Sequence, residues 1–164
     1  KLMSRINYIL PGIVVWLIQL LVSDLLAIDT VRPDFCVLFI LYWSIKFGRT
    51  VGITHGFILG LLVDLSGTGT FFGLSSMTYS ITGYLAGSLN NYRNRVNSFY
   101  FNIIWLIILL IQFFIYCSIQ YQSLWELNFQ LFLGKWFGTS IYTLSFCLIL
   151  QFIFPISRIE HVKS

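Results

Sequence analysis

The sequence predicts an all-α membrane protein, a single transmembrane domain of six helices in a compact bundle. Three observations carry that expectation. Mean hydropathy is +0.83. Hydrophobic residues make up 57% of the chain and charged ones only 10%, against about 25% charged in soluble domains, so the chain could not build a water-facing surface. The apolar residues also fall in six runs with short connections, and about 20 such residues cross a bilayer as a helix.

The spans are expected at 8–28, 33–47, 50–65, 71–89, 99–121 and 131–154. The first lacks a small-x-small cleavage site and reads as a retained span. Lys1-Leu2 precedes Met3, which is expected as the native start. The second and third spans are short, about 24 Å at 1.5 Å per residue. A re-entrant hairpin or a locally thinned bilayer is the alternative for them. Pro33 suits the first helical position of the second span, with Asp34 in its first turn at the positive end of the dipole.

In the third span Gly52, Gly56 and Gly60 recur every four residues, and Asp64 continues the row. Residues spaced this way share a helix face, and glycines there let another backbone approach closely. The fourth span carries Gly83 and Gly87, the sixth Gly134 and Gly138. These rows predict helix–helix contact, either inside the bundle or with a partner's helix. Residues 66–70 (Ser-Gly-Thr-Gly-Thr) resemble a phosphate loop only superficially, because no Gly-Lys-Ser/Thr follows, and read as a flexible turn. Residues 122–130 form the longest connection, and Glu126 reads as a loop residue.

Basic residues set the orientation. Six spans put both termini on one side, with Lys1, Arg5, Lys46, Arg49, Arg93, Arg95, Arg158 and Lys163, leaving Arg32 and Lys135 opposite. Cytoplasmic loops carry the Lys/Arg excess, so both termini are expected in the cytoplasm. The acids Asp24, Asp29, Asp34, Asp64 and Glu126 then fall outside.

Several function classes drop out. The net charge of +4 comes from scattered residues, not the clustered basic face a nucleic-acid site needs. Cys36, Cys117 and Cys147 lie in apolar runs and imply no disulfide framework. His and Cys show no metal-ligand spacing, and Ser, His and Asp show no triad spacing. No enzyme, metal or cofactor is expected. A channel or proton-coupled carrier would need polar residues lining a span at helical spacing, and none is read.

The remaining candidates are polar groups among the helices. Arg32 lies sixteen residues before the turn at Gly48 and Asp64 sixteen after it, so the two should share a depth near the outer interface. An Arg32–Asp64 ion pair would lower the cost of burying either charge. The bland reading is a structural clasp, the sharper one a partner-binding cluster. His55 is expected to bond a neighbouring helix.

Val31-Arg32-Pro33-Asp34 leading into Leu41-Tyr42-Trp43, then Gly52, Gly56, Gly60 and Asp64-Leu65, then Gly67 and Gly73-Leu74, resembles the MreD family of bacterial rod shape-determining membrane proteins. The resemblance is strongest over 31–87. It carries Arg32, Pro33, Asp34, Tyr42, Gly56, Gly60, Asp64 and Gly73 as family-motif positions. It implies a fold like the S components of energy-coupling-factor transporters. It also implies a scaffold role in the cell-elongation complex at the bacterial inner membrane, helping to organise lateral peptidoglycan synthesis. The implied partner is MreC, through its transmembrane span and outer juxtamembrane segment, docking on the Gly rows and the outer polar cluster. MreB, RodA and a class B penicillin-binding protein are further implied partners. The competing reading is a vitamin-binding S component, although the first span lacks the Ala-x-x-x-Ala docking motif of such proteins.

Overall fold

The computed structural model describes residues 2–22, 25–27, 31–67, 71–92 and 97–153. Lys1, Asp24, Asp29, Arg93, Arg95, Arg158 and Lys163, the side chain of Arg5, and residues 68–70 of the expected turn lie outside the described residues. The chain is helical: α1 (Leu2–Val22), α2 (Phe35–Phe47), α3 (Arg49–Leu65), α4 (Leu74–Tyr92), α5 (Ser98–Gln120), α6 (Gln122–Leu127) and α7 (Phe129–Ile153). Two sequence expectations change here. The first helix ends at Val22, short of residue 28, and the 122–130 connection holds the helical turns of α6.

The start of α2 also differs from expectation. Pro33 and Asp34 precede the helix, and Asp34, with extended backbone (φ −109°, ψ 91°), is its N-cap. Its carboxylate accepts from the Val37 N–H at 3.0 Å, satisfying one of the donors that every helix start leaves unpaired. At the other end Gly48 (φ +89°) donates its N–H to the Ser44 carbonyl at 2.8 Å. That left-handed conformation suits glycine, and it lets α3 begin at the next residue.

The centre of the molecule is α2, α3 and α4, with α3 against α4 the most extensive pair. Cys36, Val37, Leu38, Ile40, Leu41 and Ile45 are fully buried, so α2 is enclosed nearly all round, as an evenly apolar helix should be. α1 packs on α2 and α3, α5 on α4, and α7 on α5. The outward faces are apolar too. Ile103, Ile107 and Ile111 on α5, and Ile141, Leu148 and Phe152 on α7, are exposed. α5 and α7 are long and apolar enough to cross a membrane. An exterior this apolar fits hydrocarbon better than water.

The glycine row of α3 faces α4. A Cβ on Gly56 would stand 2.5 Å from the Tyr79 carbonyl oxygen, one on Gly52 would strike Gly83 and Ser44, and one on Gly60 would strike the Ser76 backbone. From α4, Gly83 lies on Gly52 and Gly87 on Arg49. The row is closed by this contact and is no open docking face, which corrects that part of the sequence reading. α7 behaves differently. A Cβ on Gly134 would meet nothing within 4 Å, and one on Gly138 would meet only Val31 at 3.4 Å.

α4 also corrects the expectation that no span carries polar residues at helical spacing, since Ser75, Thr78, Tyr79 and Thr82 are all buried. Thr78 donates to the Leu74 carbonyl at 3.0 Å and Thr82 to that of Thr78 at 2.9 Å. Such back-bonding satisfies hydroxyls inside their own helix. His55 likewise bonds its own helix, at the Val51 carbonyl (2.8 Å), and its ring centroid lies 6.2 Å from that of Trp43.

Candidate functional site

The two motif carboxylates sit at the same end of the bundle and do different work. Asp64, in the last turn of α3, is buried. One of its oxygens accepts from the N–H of Gly73 (3.0 Å) and from the N–H (3.1 Å) and hydroxyl (2.8 Å) of Ser76. The other accepts from the Ser75 N–H at 3.1 Å. A carboxylate from the preceding helix thus caps α4, where unpaired N–H groups and the positive dipole end favour an anion. Gly73, with φ +92°, turns the chain so that these donors converge. Beyond the expected Arg32–Asp64 clasp, Asp64 thus has a second role as the cap of α4, whose first N–H groups converge on it.

Asp34 ties α2 to two other helices. Beyond its cap bond, its second oxygen accepts from the Tyr79 hydroxyl of α4 at 2.6 Å. Its own N–H donates to the Thr143 hydroxyl of α7 at 3.3 Å. α1 joins through Gln19, whose amide donates to the Pro33 carbonyl at 3.0 Å and accepts from the Phe35 N–H at 2.7 Å. One short polar segment therefore fastens α1, α2, α4 and α7. Trp16 of α1 adds a bond to the Ser66 hydroxyl at 3.2 Å, at the end of α3.

Between these fastenings lies a cavity of about 290 Å³. Arg32, Asp34, Gln19, Ser66, Ser75, Tyr79, Tyr116, Gln120 and Thr139 give it a polar wall, and Phe113 an apolar one. Arg32 is exposed and stands at its rim. The cavity thus gathers a cation, two amides and several hydroxyls in an otherwise apolar body. Among the described residues no group of His, Cys, Asp and Glu could hold a metal ion.

Sequence reasoning found Arg32, Pro33, Asp34 and Asp64, and the structure gathers them at this end. It missed Gln19, Tyr116 and Thr143. A lone Gln in an apolar first span was the available signal, because a polar side chain inside a membrane helix normally has a partner. Tyr42 stands apart, on the far side of Asp34 along α2, and its hydroxyl is buried without a hydrogen-bond partner among the described residues. Gly52, Gly56 and Gly60 position the site from behind by holding α3 on α4.

A family model for MreD, rod shape-determining protein MreD, matches residues 3–157. No curated protein and no solved structure matches the chain.

Proposed function

The chain belongs to the MreD family of rod shape-determining membrane proteins, and from that premise we propose that it is a scaffold subunit of the cell-elongation complex, binding MreC and helping to organise lateral peptidoglycan synthesis. It sits in the bacterial inner membrane as six spans with both termini in the cytoplasm, in an arrangement like that of transporter S components. MreB, RodA and a class B penicillin-binding protein are its further partners. The bundle acts by contact and not by chemistry.

One observation supports a docking surface for a single-span partner. Of the glycine rows, only that of α7 is left open, with Gly134 exposed and clear of neighbours. Small residues at such a place let a second helix approach closely in lipid. The reading therefore moves the MreC contact from α3, which α4 covers, to α7.

Affinity capture from bacterial membranes with detection of MreC tests it. Gly134→Leu should abolish co-purification, Gly134→Ala should preserve it, and both proteins should remain monodisperse. Undiminished capture by Gly134→Leu would remove α7 as the docking face. Absence of MreC from wild-type eluates would remove the scaffold reading itself.

The second reading, a vitamin-binding S component, is favoured by the polar cavity and disfavoured by a first span without small-residue motifs. Native mass spectrometry showing a stoichiometric vitamin-sized adduct would favour it.

A further inference from the structure

Two cavities of opposite character lie end to end along α1 and α2. The polar one has Gln19 and Asp34 in its wall. The second, of about 330 Å³, is almost wholly apolar, with Val15 and Ile18 of α1, Phe35, Leu38 and Phe39 of α2, and Leu150 of α7 around it. Chain order fixes how they stack. On α1 the apolar residues precede Gln19, on α2 they follow Asp34, and on α7 Leu150 follows Thr139 and Thr143. All three helices agree that the groove lies nearer the middle of the bundle than the polar cavity. From Asp34 to Tyr42, which also lines the groove, the distance is about 12 Å at 1.5 Å per residue. Ile18 is exposed, so the groove opens sideways.

We propose that this paired site binds an anionic lipid, a phosphate-headed amphiphile with its headgroup in the polar cavity beside Arg32 and an acyl chain in the groove. The guanidinium carries five N–H donors in a fork that matches phosphate oxygens, and the hydroxyl-bearing Tyr116 shares that wall. Val37 and Tyr79 donate to the two oxygens of Asp34, which turns that carboxylate to the protein and leaves the headgroup to seat on the Arg32 side of the cavity. Gln19 stands at the junction. Its amide uses one N–H on Pro33 and has a second to offer the ester linkage of a glycerolipid. A free phosphate compound would leave the groove empty and a plain hydrocarbon would leave the cavity empty. Only an amphiphile uses both. The proposal stands independently of MreC binding.

Native mass spectrometry of the full chain, stripped of lipid in detergent, tests it with three probes: phosphatidylglycerol, diacylglycerol of the same chains, and glycerol 3-phosphate. Phosphatidylglycerol should bind about tenfold more tightly than diacylglycerol, in line with one charge-assisted contact, and glycerol 3-phosphate should not be retained. Arg32→Gln should lower phosphatidylglycerol binding about tenfold. Ile18→Trp, which fills the mouth of the groove, should lower it too, while Ile107→Trp on the outward face of α5 should not. Equal binding of diacylglycerol, retention of glycerol 3-phosphate alone, unchanged binding in both Arg32→Gln and Ile18→Trp, or a protein dimer in place of the lipid adduct would each overturn the proposal. If Arg32→Gln does not fold, the wild-type probe series and Ile18→Trp still decide.

Discussion

Gly56→Ala probes the contact that holds the molecule together. An added Cβ would stand 2.5 Å from the Tyr79 carbonyl oxygen and 2.7 Å from its carbon, both backbone atoms of α4. Ordinary contact begins at 3.4 Å. α4 must therefore retreat by about 0.9 Å, a gap that forfeits roughly a quarter to a half of each affected dispersion contact. A flexible side chain could swing away, but a helix backbone cannot. The cost therefore falls at the upper end of the roughly 1–3 kcal/mol typical of overpacking, or beyond it. Alanine's better helix propensity returns about 1 kcal/mol. The net loss is about 2–3 kcal/mol, and at roughly 2–4 °C per kcal/mol for a chain of this size the melting temperature should fall by about 5–10 °C. Gly134→Ala is the control. It meets nothing within 4 Å, so only the propensity term acts and the melting point should rise by about 2–4 °C. Thermal melts in detergent, followed by fluorescence-detected size exclusion, read both. If Gly56→Ala melts at or above wild type, α3 and α4 are not in backbone contact and the reasoning fails.

Asp64→Ala should cost about 3–5 kcal/mol, because the buried N–H groups of Ser75 and Ser76 lose their acceptor. Asp64→Asn should fall between it and wild type, and a wild-type melt for Asp64→Ala would mean that α4 is capped by something else. Tyr79→Phe removes the 2.6 Å bond to Asp34 and should cost about 1.5–3 kcal/mol. A double-mutant cycle with Asp34→Asn should return a clear coupling energy, and strict additivity would deny the bond. Tyr42→Phe removes a buried hydroxyl that has no partner among the described residues, so stability should hold or rise by about 1 kcal/mol. A lower melting point would reveal a partner for that hydroxyl.

Local signals in the chain were legible one residue at a time. The i, i+4 glycines of α3 declared a close approach before any partner was visible, since only that need explains repeated glycine in a helix that glycine weakens. Arg32, Pro33, Asp34 and Asp64 stood out because charge is rare here. Their partners were not legible. Asp64 bonds residues nine to twelve positions onward, across a turn, which a matched depth with Arg32 does not announce. Tyr79 and Thr143 reach Asp34 from 45 and 109 residues away. The open state of Gly134 and the closed state of Gly56 look alike in sequence, because both are glycines in apolar helices with a second glycine four residues on.

The sequence by itself determined that the chain is helical, too apolar for water, and related to the rod shape-determining family. Composition, period and motif are properties of neighbouring residues and survive in any packing. Only the tertiary structure decided that α4 covers the glycine face of α3, that Asp64 caps α4, and that a polar cavity and an apolar groove both lie beside α1. Those facts depend on which helix faces which, and in an evenly apolar chain many pairings bury similar area. Close backbone fit and the satisfaction of a few buried polar groups select among them, and both exist only once the helices are assembled.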